Sequence, residues 1–423
     1  MEQRNKIQKH KIQHFNGILV QTKGDVRQAI DPYTGNPKYD LKNDIYFVNP
    51  NLNIGVGYKS YSAASQSNTL EGINLLNGAT LWTRDINREY GWNDFFYINK
   101  DSVIIVSAGL HSVNIKNGGG WFYNAVTGED DYRGTVAKNA AGVALGLLTG
   151  TFVISTGYNV ISDLTSNVLI DSNYIYFASK EEFIKIDKTN AGIHWQTKFE
   201  SFTGQSVLWI DSSNVYMINK GSALKNFSQQ VSYKKPFYAA FNKKTGQQIY
   251  KVTFDEKDNP VLGFKLKDDY AYLLFKNKIA KYIIATGENK IKPYIAQQFG
   301  DLSFFIGNQV FVKCGDDSVT NLIASDTTKN FIFTKSGTVL SIDNDLNICD
   351  TISNDSLLVS SVNGSTLSFF NSQDKTSIIN PDGYKCAELY ANLNKYNSYL
   401  IKNTLYYIND NKLYIINLDN ASK

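Results

Sequence analysis

The chain alternates short apolar segments with polar turns, and one combination of the two recurs along most of its 423 residues. A strand-like segment runs into a tight polar turn that ends in glycine, in copies at residues 30–35, 73–78, 123–128, 241–246 and 282–287. Four looser copies begin at Ile186, Ile342, Ile379 and Ile416. A strand that ends in such a turn, repeated along a chain, is typical of a repeat fold.

The spacing of these copies predicts the size of the repeating unit. Most neighbouring turn glycines are roughly 40–50 residues apart, which is the length that four short strands and their turns require. The interval from Gly128 to Gly192 is longer, and two intervals near the C-terminus are shorter. A solenoid of helix pairs would need apolar residues at helical spacing, which most of the chain lacks. The predicted unit is therefore a four-stranded sheet.

A second signal is in register with the first. An aromatic residue follows the turn glycine by four positions at Tyr39, Trp82, Tyr132 and Tyr250, and Trp195 follows Gly192 by three. Such a residue begins the outer strand of a sheet, where a large flat side chain can fill the seam to the next sheet. Burying one ring stabilises a fold by roughly 1.5–3 kcal/mol. We therefore interpret these five aromatics as packing residues.

The turn and the aromatic together give the pattern Asp-x-x-Thr-Gly-x-x-x-Trp, which resembles the repeat of pyrroloquinoline-quinone-type (PQQ-like) propellers. The best-matching segments are residues 168–179 with 186–195, and residues 207–217 with 240–246. The resemblance implies a β-propeller, and the chain is similar to the barrel-assembly scaffold type of this family rather than to its dehydrogenases. The vicinal cysteine pair of the quinone-dependent alcohol dehydrogenases has no counterpart here.

We expect an all-β chain that folds over residues 1–423 as a single β-propeller of seven or eight four-stranded blades, with eight favoured. Strands near residues 17–21 and 413–416 are expected to complete one blade, so that the two termini close the ring and remove an exposed edge. Aromatic residues make up 13% of the chain, and strands favour them. A closed ring also accommodates a length that otherwise suggests two or three domains.

Residues 133–165 interrupt the repeat and are predicted to form a mostly helical insertion rich in Gly and Ala. No charged residue occurs from Asn139 to Ser162. Glycines recur in this segment at every fourth position, so a helix would carry them on one smooth stripe that another backbone can approach closely. The candidate interaction residues are Gly142, Leu145, Gly146, Leu148, Gly150 and Phe152.

Three interpretations of this insertion stay open. It packs on the propeller or over its central channel, it docks a partner protein or a second copy through residues 135–162, or it contacts a membrane. The uncharged run is long enough to span a bilayer, but its many Gly, Thr, Ser and Asn residues make it a poor spanning segment.

A second insertion, the long loop at residues 221–236, lies between two strands of one blade. Such loops often carry recognition, and a disordered connection is the alternative.

Charge and cysteine content limit the classes of partner and the cellular location that we expect. The net charge of +4 is mild, and the basic clusters at residues 6–11 and 234–235 are short. We interpret both clusters as solvated surface, with a weak acidic partner as the alternative, and expect no nucleic-acid partner. Three cysteines, Cys314, Cys349 and Cys386, argue against a disulfide framework. Residues 1–11 lack the apolar core of a signal peptide, and a cytoplasmic location is therefore expected.

The sequence contains no recognisable catalytic motif. His-Glu-x-x-His, P-loop and Gly-x-Ser-x-Gly patterns are missing from it. The glycine-rich segment at residues 117–121 joins strands, so we expect a blade turn there and no phosphate cradle. Oxygen-rich turns at residues 316–317 and 343–345 are the remaining candidates for calcium. No catalytic residue, metal ligand or cofactor-binding residue is assigned.

These observations predict a non-enzymatic scaffold that binds a protein partner through its ring faces and the 135–162 segment, without a cofactor. One alternative is a propeller similar to the quinone-dependent dehydrogenases, although the required ligands around a central axis are not assignable to residues. The other is a membrane-associated assembly factor that uses the insertion. The partner's identity and the oligomeric state do not follow from the sequence.

Overall fold

Short stretches of alternating apolar residues become antiparallel strands throughout the described chain. The computed structural model describes residues 10–15, 18–23, 26–49, 51–62, 65–86, 94–106, 109–124, 164–201, 203–225, 229–232, 234–254, 259–305, 311–313, 319–321, 329–336, 338–352, 357–358, 368–372, 375–379, 385–393, 397–401, 403–409 and 412–418. The predicted insertion at residues 133–165 therefore falls almost entirely outside the described residues.

The first four sheets along the chain each contain four strands in simple sequential order. Their strands are β1 (His10–Phe15), β2 (Ile18–Lys23), β3 (Val26–Ile30) and β4 (Pro37–Leu41) in sheet 1; β5 (Asn43–Asn49), β6 (Ile54–Ser62), β7 (Ser65–Asn74) and β8 (Thr80–Asp85) in sheet 2; β9 (Asp94–Asn99), β10 (Ser102–Val106), β11 (Leu110–Asn114) and β12 (Phe122–Tyr123) in sheet 3; and β13 (Leu169–Ile170), β14 (Tyr174–Ala178), β15 (Glu182–Asp187) and β16 (Ile193–Lys198) in sheet 4.

Sheets 5 to 7 repeat the same order, with additional strands inserted into two of them. Their strands are β17 (Ser206–Ile210), β18 (Asn214–Asn219), β21 (Phe237–Asn242) and β22 (Gln248–Thr253) in sheet 5, which also carries the hairpin of β19 (Ser222–Lys225) and β20 (Gln229–Ser232); β23 (Gly263–Lys267), β24 (Tyr270–Leu274), β25 (Lys278–Ile283) and β26 (Asn289–Pro293) in sheet 6; and β27 (Leu302–Phe305), β30 (Asn330–Thr334), β31 (Val339–Ile342) and β32 (Ile348–Ile352) in sheet 7.

The remaining described strands form three-stranded sheets. They are β34 (Ser368–Ser372), β35 (Lys375–Ile379) and β36 (Lys385–Leu389) in sheet 8; β37 (Ser398–Ile401), β38 (Thr404–Asn409) and β39 (Lys412–Asn417) in sheet 9; and an accessory sheet of β28 (Phe311–Lys313), β29 (Val319–Asn321) and β33 (Leu357–Leu358). Within the described ranges there is one short helix, α1 (Ala296–Phe299). None of the helical structure in this part of the chain could cross a membrane.

The hydrophobic cores lie between neighbouring sheets. Successive residues of a strand point to opposite sides, so Tyr176 packs towards sheet 5 whereas Phe177 packs towards sheet 3. Between sheets 2 and 3, Tyr58 packs in one buried cluster with Val103 and Ile105. Similar clusters join sheets 1 and 2, 5 and 6, 6 and 7, and 8 and 9. Each of the nine sheets therefore shares a buried cluster with at least one neighbour.

The last sheet packs against the first. Ile12 and Leu19 of sheet 1 share a buried cluster with Tyr406 and Ile408 of sheet 9. The hydroxyl of Tyr406 donates a hydrogen bond of 3.0 Å to the carbonyl oxygen of Pro32. Four-stranded antiparallel sheets that pack in chain order, with the last against the first, form a β-propeller.

The number of sheets does not confirm the predicted count of eight. Apart from the two-stranded hairpin and the accessory sheet, the described residues form nine sheets in chain order, seven of four strands and two of three. The expectation that strands near residues 17–21 and 413–416 share one blade is wrong, because β2 lies in sheet 1 and β39 lies in sheet 9. The physical reason is that residues 10–15, which overlap the basic cluster interpreted as solvated surface, form a strand of their own. This strand, β1, pairs with β2 along its whole length, from His10 with Lys23 to Phe15 with Ile18.

The repeated turns share one backbone conformation. In sheet 5 the side chain of Asn242 accepts hydrogen bonds of 3.0 Å from the N–H groups of Lys244 and Thr245. The N–H of Gly246 then donates to the carbonyl oxygen of Asn242, and Gly246 has a φ of 74°. Glycine adopts this left-handed conformation without the steric cost of a Cβ. The turn glycines of sheets 1, 2 and 6 have φ angles of 73–76°.

Two of the predicted turns lie elsewhere. In sheet 4 the left-handed residue is Ala191, with a φ of 61°, and not Gly192. Trp195 therefore follows the left-handed residue by four positions, as the other aromatics do. In sheet 3 the turn into the outer strand ends at Gly118, with a φ of 74°, and Tyr123 already belongs to that outer strand. The glycine-rich segment at residues 117–121 is thus a turn between strands.

Strand order divides the molecule into two faces. The face that carries the turns ending in glycine is called the lower face, and the opposite strand ends form the upper face. In sheet 5 the upper ends are Ser206, Asn219, Phe237 and Thr253, which are paired across the sheet in this order. The hairpin of β19 and β20 connects strand ends on the upper face. The ends of the undescribed segment 125–163 also lie there, since it follows β12 and precedes the Leu164–Ser179 bridge.

Candidate functional site

The seam aromatics predicted from the sequence lie against the turn of the following sheet. The indole N–H of Trp82 donates a hydrogen bond of 2.7 Å to the carbonyl oxygen of Ile115, and that of Trp195 donates one of 3.2 Å to Lys243. The hydroxyl groups of Tyr39 and Tyr250 bond to the equivalent carbonyls, those of Leu75 and Ile284. Tyr132 lies outside the described residues.

Burial at these seams changes the chemistry of the tyrosines. Desolvation raises the pKa of Tyr39 to about 12, and it raises the pKa of Tyr250 to about 12 as well. Their hydroxyl groups therefore stay protonated and act as hydrogen-bond donors across the seam. Sheet 3 uses Trp121 in the same way, because its indole N–H lies 3.1 Å from the carbonyl oxygen of Lys188. Trp121 was not predicted as a seam aromatic, because the turn of this sheet was placed at Gly128 and Tyr132 was given that role, whereas the turn ends at Gly118.

The candidate site is a groove on the upper face, between sheets 4 and 5. Its cavity of about 270 Å³ is lined by Ser201, Lys234, Lys235, Phe237, Lys251 and Thr253. Small-molecule sites in proteins usually have volumes of about 300–1,000 Å³. The volume of the cavity is thus close to the lower end of this range. We call these six residues the upper groove.

Three segments that are separate in sequence build the upper groove. Phe237 begins β21, and Lys251 and Thr253 belong to the outer strand β22. Ser201 comes from the connection between sheets 4 and 5, and Lys234 and Lys235 come from the segment that follows β20. The ring of Phe237, which is 6% exposed, packs 6.3 Å from that of Phe199. The floor of the groove is thus a fixed aromatic ring.

The lysines of the upper groove are held in place by their surroundings. The ammonium group of Lys251 lies 4.9 Å from the ring centre of Phe237, where the face of the ring attracts a cation. The same ammonium group is 2.9 Å from a carboxylate oxygen of Glu200. The side chain of Lys251 is 19% exposed and that of Glu200 is 84% exposed. The hydrogen bond from Lys251 lowers the pKa of Glu200.

Gly221, which precedes the β19–β20 hairpin, and Pro236, which follows it, form the neck of the hairpin. This neck positions Lys234 and Lys235. Gly221 has a φ of 65°, and a Cβ at this position would lie 2.7 Å from the ring of Pro236. The chain segments at Gly221 and Pro236 therefore approach each other more closely than a residue with a Cβ at position 221 would allow. Lys234 also has a positive φ, 64°, which is uncommon for a residue other than glycine. Such strained residues are concentrated at binding sites.

The other predicted sites do not meet at this groove. The candidate interaction residues of the insertion, namely Gly142, Leu145, Gly146, Leu148, Gly150 and Phe152, lie outside the described residues. In the turn at residues 343–347, the carboxylate of Asp343 accepts two backbone N–H groups and the side-chain amide of Asn347. The ammonium group of Lys290 lies 2.7 Å from Asp345. Ammonium and amide groups therefore take the oxygens that a calcium ion would need.

No metal-ligating group of three or more His, Cys, Asp or Glu side chains occurs in the part of the chain that the structure describes. Three of the histidines have aromatic partners, because His111 stacks on Phe122 at 4.5 Å, His194 lies 4.8 Å from Tyr174 and His14 lies 5.5 Å from Tyr399. Cys349 is exposed and free. Cys314 lies outside the described residues.

Sequence reasoning identified part of the upper groove. The loop at residues 221–236 was named as a recognition candidate, and Lys234 and Lys235 were interpreted as solvated surface. Ser201, Phe237, Lys251 and Thr253 were missed. Spacing could have found Lys251, since it directly follows the seam aromatic Tyr250. Nothing in the sequence indicates that it meets Glu200.

Comparison with known proteins identifies no family. No family model matches the chain, and no curated protein matches it. Similar solved structures include BamB from Moraxella catarrhalis (10% identity, 89% of this chain and 94% of that chain, TM-score 0.42). Others are the computationally designed Ika8 protein (10%, 89% and 98%, TM-score 0.43) and the β-propeller domain of Cps50 (Swd1) from Myceliophteria thermophila (7%, 80% and 94%, TM-score 0.34). Likeness at these TM-scores carries no argument, so the fold described above rests on strand pairing and packing.

Proposed function

We propose that the protein is a non-enzymatic β-propeller scaffold that binds a protein partner through its upper face. The observation that carries the proposal is the upper groove, where charged and aromatic side chains from three segments surround one cavity. Two departures from the repeat, the hairpin of β19 and β20 and the segment 125–163, also connect strands on this face, whereas the insertion that carries β28 and β29 connects β27 to β30 on the lower face. In many folds, binding residues lie on loops that a rigid scaffold holds in position.

The lower face is less suited to this role. Its turns form hydrogen bonds within themselves and with the neighbouring sheet, as the contacts of Asn242 and of the seam aromatics show. Groups that hold the ring together are not available to a partner without loss of stability. The 135–162 segment is the second part of the proposed interaction surface, because the described residues that flank the undescribed segment 125–163 lie on the upper face.

Photo-crosslinking from the two ends of one strand tests the proposal. A photoreactive amino acid replaces Thr253, at the upper end of β22, or Gln248, at its lower end; both residues are exposed. In native extract, we expect a discrete crosslinked protein with the Thr253 variant and a much weaker product with the Gln248 variant. Equal products from both positions, or none from Thr253, would contradict the proposed function.

A further inference from the structure

Sheet 9 ends at its third strand in the described structure, whereas the eight other sheets each include an outer strand. Its last strand, β39, pairs with β38 and with no other described strand. The turn after β39 fixes its place in the repeat, because the N–H of Leu418 donates a hydrogen bond of 2.6 Å to the carbonyl oxygen of Asn403. In sheet 2 the equivalent bond, from Leu75 to Asn53, comes between the third strand β7 and the outer strand β8. The strand β39 is therefore a third strand without a described outer neighbour, and we call residues 412–416 the open edge.

The exposure of β39 agrees with this missing neighbour. The third strands of sheets 4 and 5 are buried along most of their length, whereas four of the six residues of β39 are exposed. Ile378 and Ile415 occupy the same position of the repeat, since each directly precedes a copy of the turn phrase. Ile378 is fully buried where β35 pairs with the outer strand β36, and Ile415 is 40% exposed. A further strand would cover Ile415 as β36 covers Ile378.

The backbone of the open edge suits an extended partner. An unpaired strand edge presents a row of N–H and C=O groups that pairs readily with another extended chain. Several peptide-binding domains add a strand in this way, and main-chain hydrogen bonds then give the affinity whereas the side-chain positions give the specificity. In sheets 2, 5 and 8 the outer strand runs antiparallel to the third strand. We therefore expect the same direction for a strand that pairs with β39.

The third strand of each sheet selects the side chain that can lie opposite it. Trp82 lies opposite Gly72, where a Cβ would clash with the indole ring. Tyr250 lies opposite an alanine of β21. Trp195 lies opposite Lys185, the exception, whose long side chain extends to a carbonyl oxygen of sheet 5 at 3.1 Å. A large ring on the outer strand thus needs a small or flexible residue on the third strand.

The open edge has a large, branched residue at this position. Ile415 points towards sheet 1, where a Cβ at Gly35 would lie 3.7 Å from its Cδ1 atom. Ile415 therefore already fills the part of the seam that an outer aromatic fills elsewhere. Sheet 8 shows the matching arrangement, because Ile378 lies opposite the small Ala387 of β36.

We propose that the open edge binds an extended segment of a partner protein as a fourth, antiparallel strand, with a small residue such as alanine or serine opposite Ile415. This inference goes beyond the proposed function, because the open edge lies on the outer rim of the ring and not on the upper face. Strand pairing supplies the affinity, and Ile415 excludes segments that carry a large ring at the facing position.

Fluorescence anisotropy with a labelled synthetic peptide of residues 384–391 tests the inference. This peptide copies the outer strand of sheet 8, with Cys386→Ser to prevent oxidation, and presents Ala387 to Ile415. The intact chain is expected to bind it. An otherwise identical peptide with Ala387→Trp should bind at least about tenfold more weakly, because the ring and Ile415 would overfill the seam. Hydrogen exchange should show slower exchange in β39 when the first peptide is bound, because its outward N–H groups become paired.

Two variants of the protein localise the binding. Ile415→Ala should reverse the preference, so that the tryptophan peptide binds at least as tightly as the alanine peptide, as Trp82 fits over Gly72 in sheet 2. Ile249→Ala is the matched control, since Ile249 is 51% exposed on the outer strand β22. It should leave the affinity for both peptides within about twofold, because distant sites act independently. Circular dichroism confirms that each variant is folded.

Several results would overturn the inference. The intact chain would bind neither peptide if its own residues outside the described ranges covered the open edge. Equal affinity for the two peptides, or an unchanged preference in Ile415→Ala, would exclude Ile415 as the selecting residue. A dimer of the free protein that the alanine peptide dissociates would assign the edge to a second copy of the chain. Slower exchange elsewhere, with β39 unaffected, would place the peptide at another surface.

Discussion

At Gly118 the fold depends on the absence of one side-chain carbon. A Cβ at this position would lie 2.6 Å from the indole ring of Trp82, and the backbone has a φ of 74°. The same relation holds between Gly246 and Trp195, where the distance is again 2.6 Å. Each turn glycine therefore serves two purposes. It adopts the left-handed conformation, and it gives the aromatic ring of the preceding sheet room to reach the turn.

Replacement of Gly118 by alanine tests this double role. We expect Gly118→Ala to lower the free energy of unfolding by about 2–5 kcal/mol, because a left-handed residue with a Cβ costs about 1–2 kcal/mol and overpacking adds about 1–3 kcal/mol. Urea denaturation measures the change. Gly119→Ala is the matched control, since its Cβ would approach only the side chain of Asn117, at 3.2 Å. Its effect should stay within about 0.5 kcal/mol, and equal losses from the two variants would refute the argument.

At the scale of the element, the turn between the first two strands of sheet 4 is organised by one carboxylate. Asp171 accepts hydrogen bonds from the N–H groups of Asn173 and Tyr174 at 2.9 and 2.8 Å, and from the hydroxyl of Tyr176 at 2.9 Å. The ammonium group of Lys243, in sheet 5, lies 3.2 Å away. Desolvation by itself would raise the pKa of Asp171, but these hydrogen bonds outweigh it and the pKa is lowered.

This lowered pKa predicts a dependence of stability on pH. The contribution of ionised Asp171 is present above its unfolded pKa of about 3.9 and is lost as the pH falls through the lower folded value. Asp171→Asn should therefore cost about 1.5–3 kcal/mol at pH 7, the range for a hydrogen bond to a charged group. The difference from wild type should shrink below about pH 4.

Urea denaturation at several pH values measures this difference. Asp269→Asn, at an exposed aspartate in the corresponding turn of sheet 6, is the control and should change stability little at any pH. A constant difference between Asp171→Asn and wild type from pH 7 to pH 3 would disprove the role of the carboxylate.

The elements also show what could be predicted from the sequence. Turns that end in glycine were visible because glycine and an acidic or amide residue have fixed positions in them, as at Asn242 and Gly246. The turn at Ala191 was misplaced by one residue, because a left-handed alanine has no signature of its own. The upper groove was predicted only in part, because Phe237 and Lys251 become neighbours through the pairing of β21 with β22, and Ser201 reaches them from the connection between sheets 4 and 5. Local patterns do not encode such contacts between segments.

At the scale of the whole molecule, stability comes from seams between sheets that could not bury their apolar faces alone. In such an arrangement each unit is stabilised mainly by its neighbours. An open array would end in two exposed faces, and its terminal units would unfold first. Here sheet 9 packs on sheet 1 through Ile12, Leu19 and Ile408. The terminal sheets are therefore internal to the ring, although they lie at the ends of the chain.

Closure of the ring predicts that a small change at this seam weakens the whole fold. Tyr406 is buried, and its hydroxyl donates to the carbonyl oxygen of Pro32 at 3.0 Å. Tyr406→Phe keeps the ring and leaves this carbonyl without its donor, so we expect the main unfolding transition in urea to lose about 1 kcal/mol. The same loss should appear in hydrogen exchange of β38 and of central strands such as β14, because a closed ring opens cooperatively.

The partly exposed Tyr414 of the same sheet provides the control, since it stacks on Tyr407 at 4.8 Å and its hydroxyl crosses no seam in the described structure. Tyr414→Phe should shift neither measurement by more than about 0.5 kcal/mol. If Tyr406→Phe accelerated exchange in β37 to β39 alone and left β14 unchanged, the terminal sheet would be a separately unfolding end. Contact between the first and last sheets would then not hold the ring closed, and the molecule would behave as an open array of sheets.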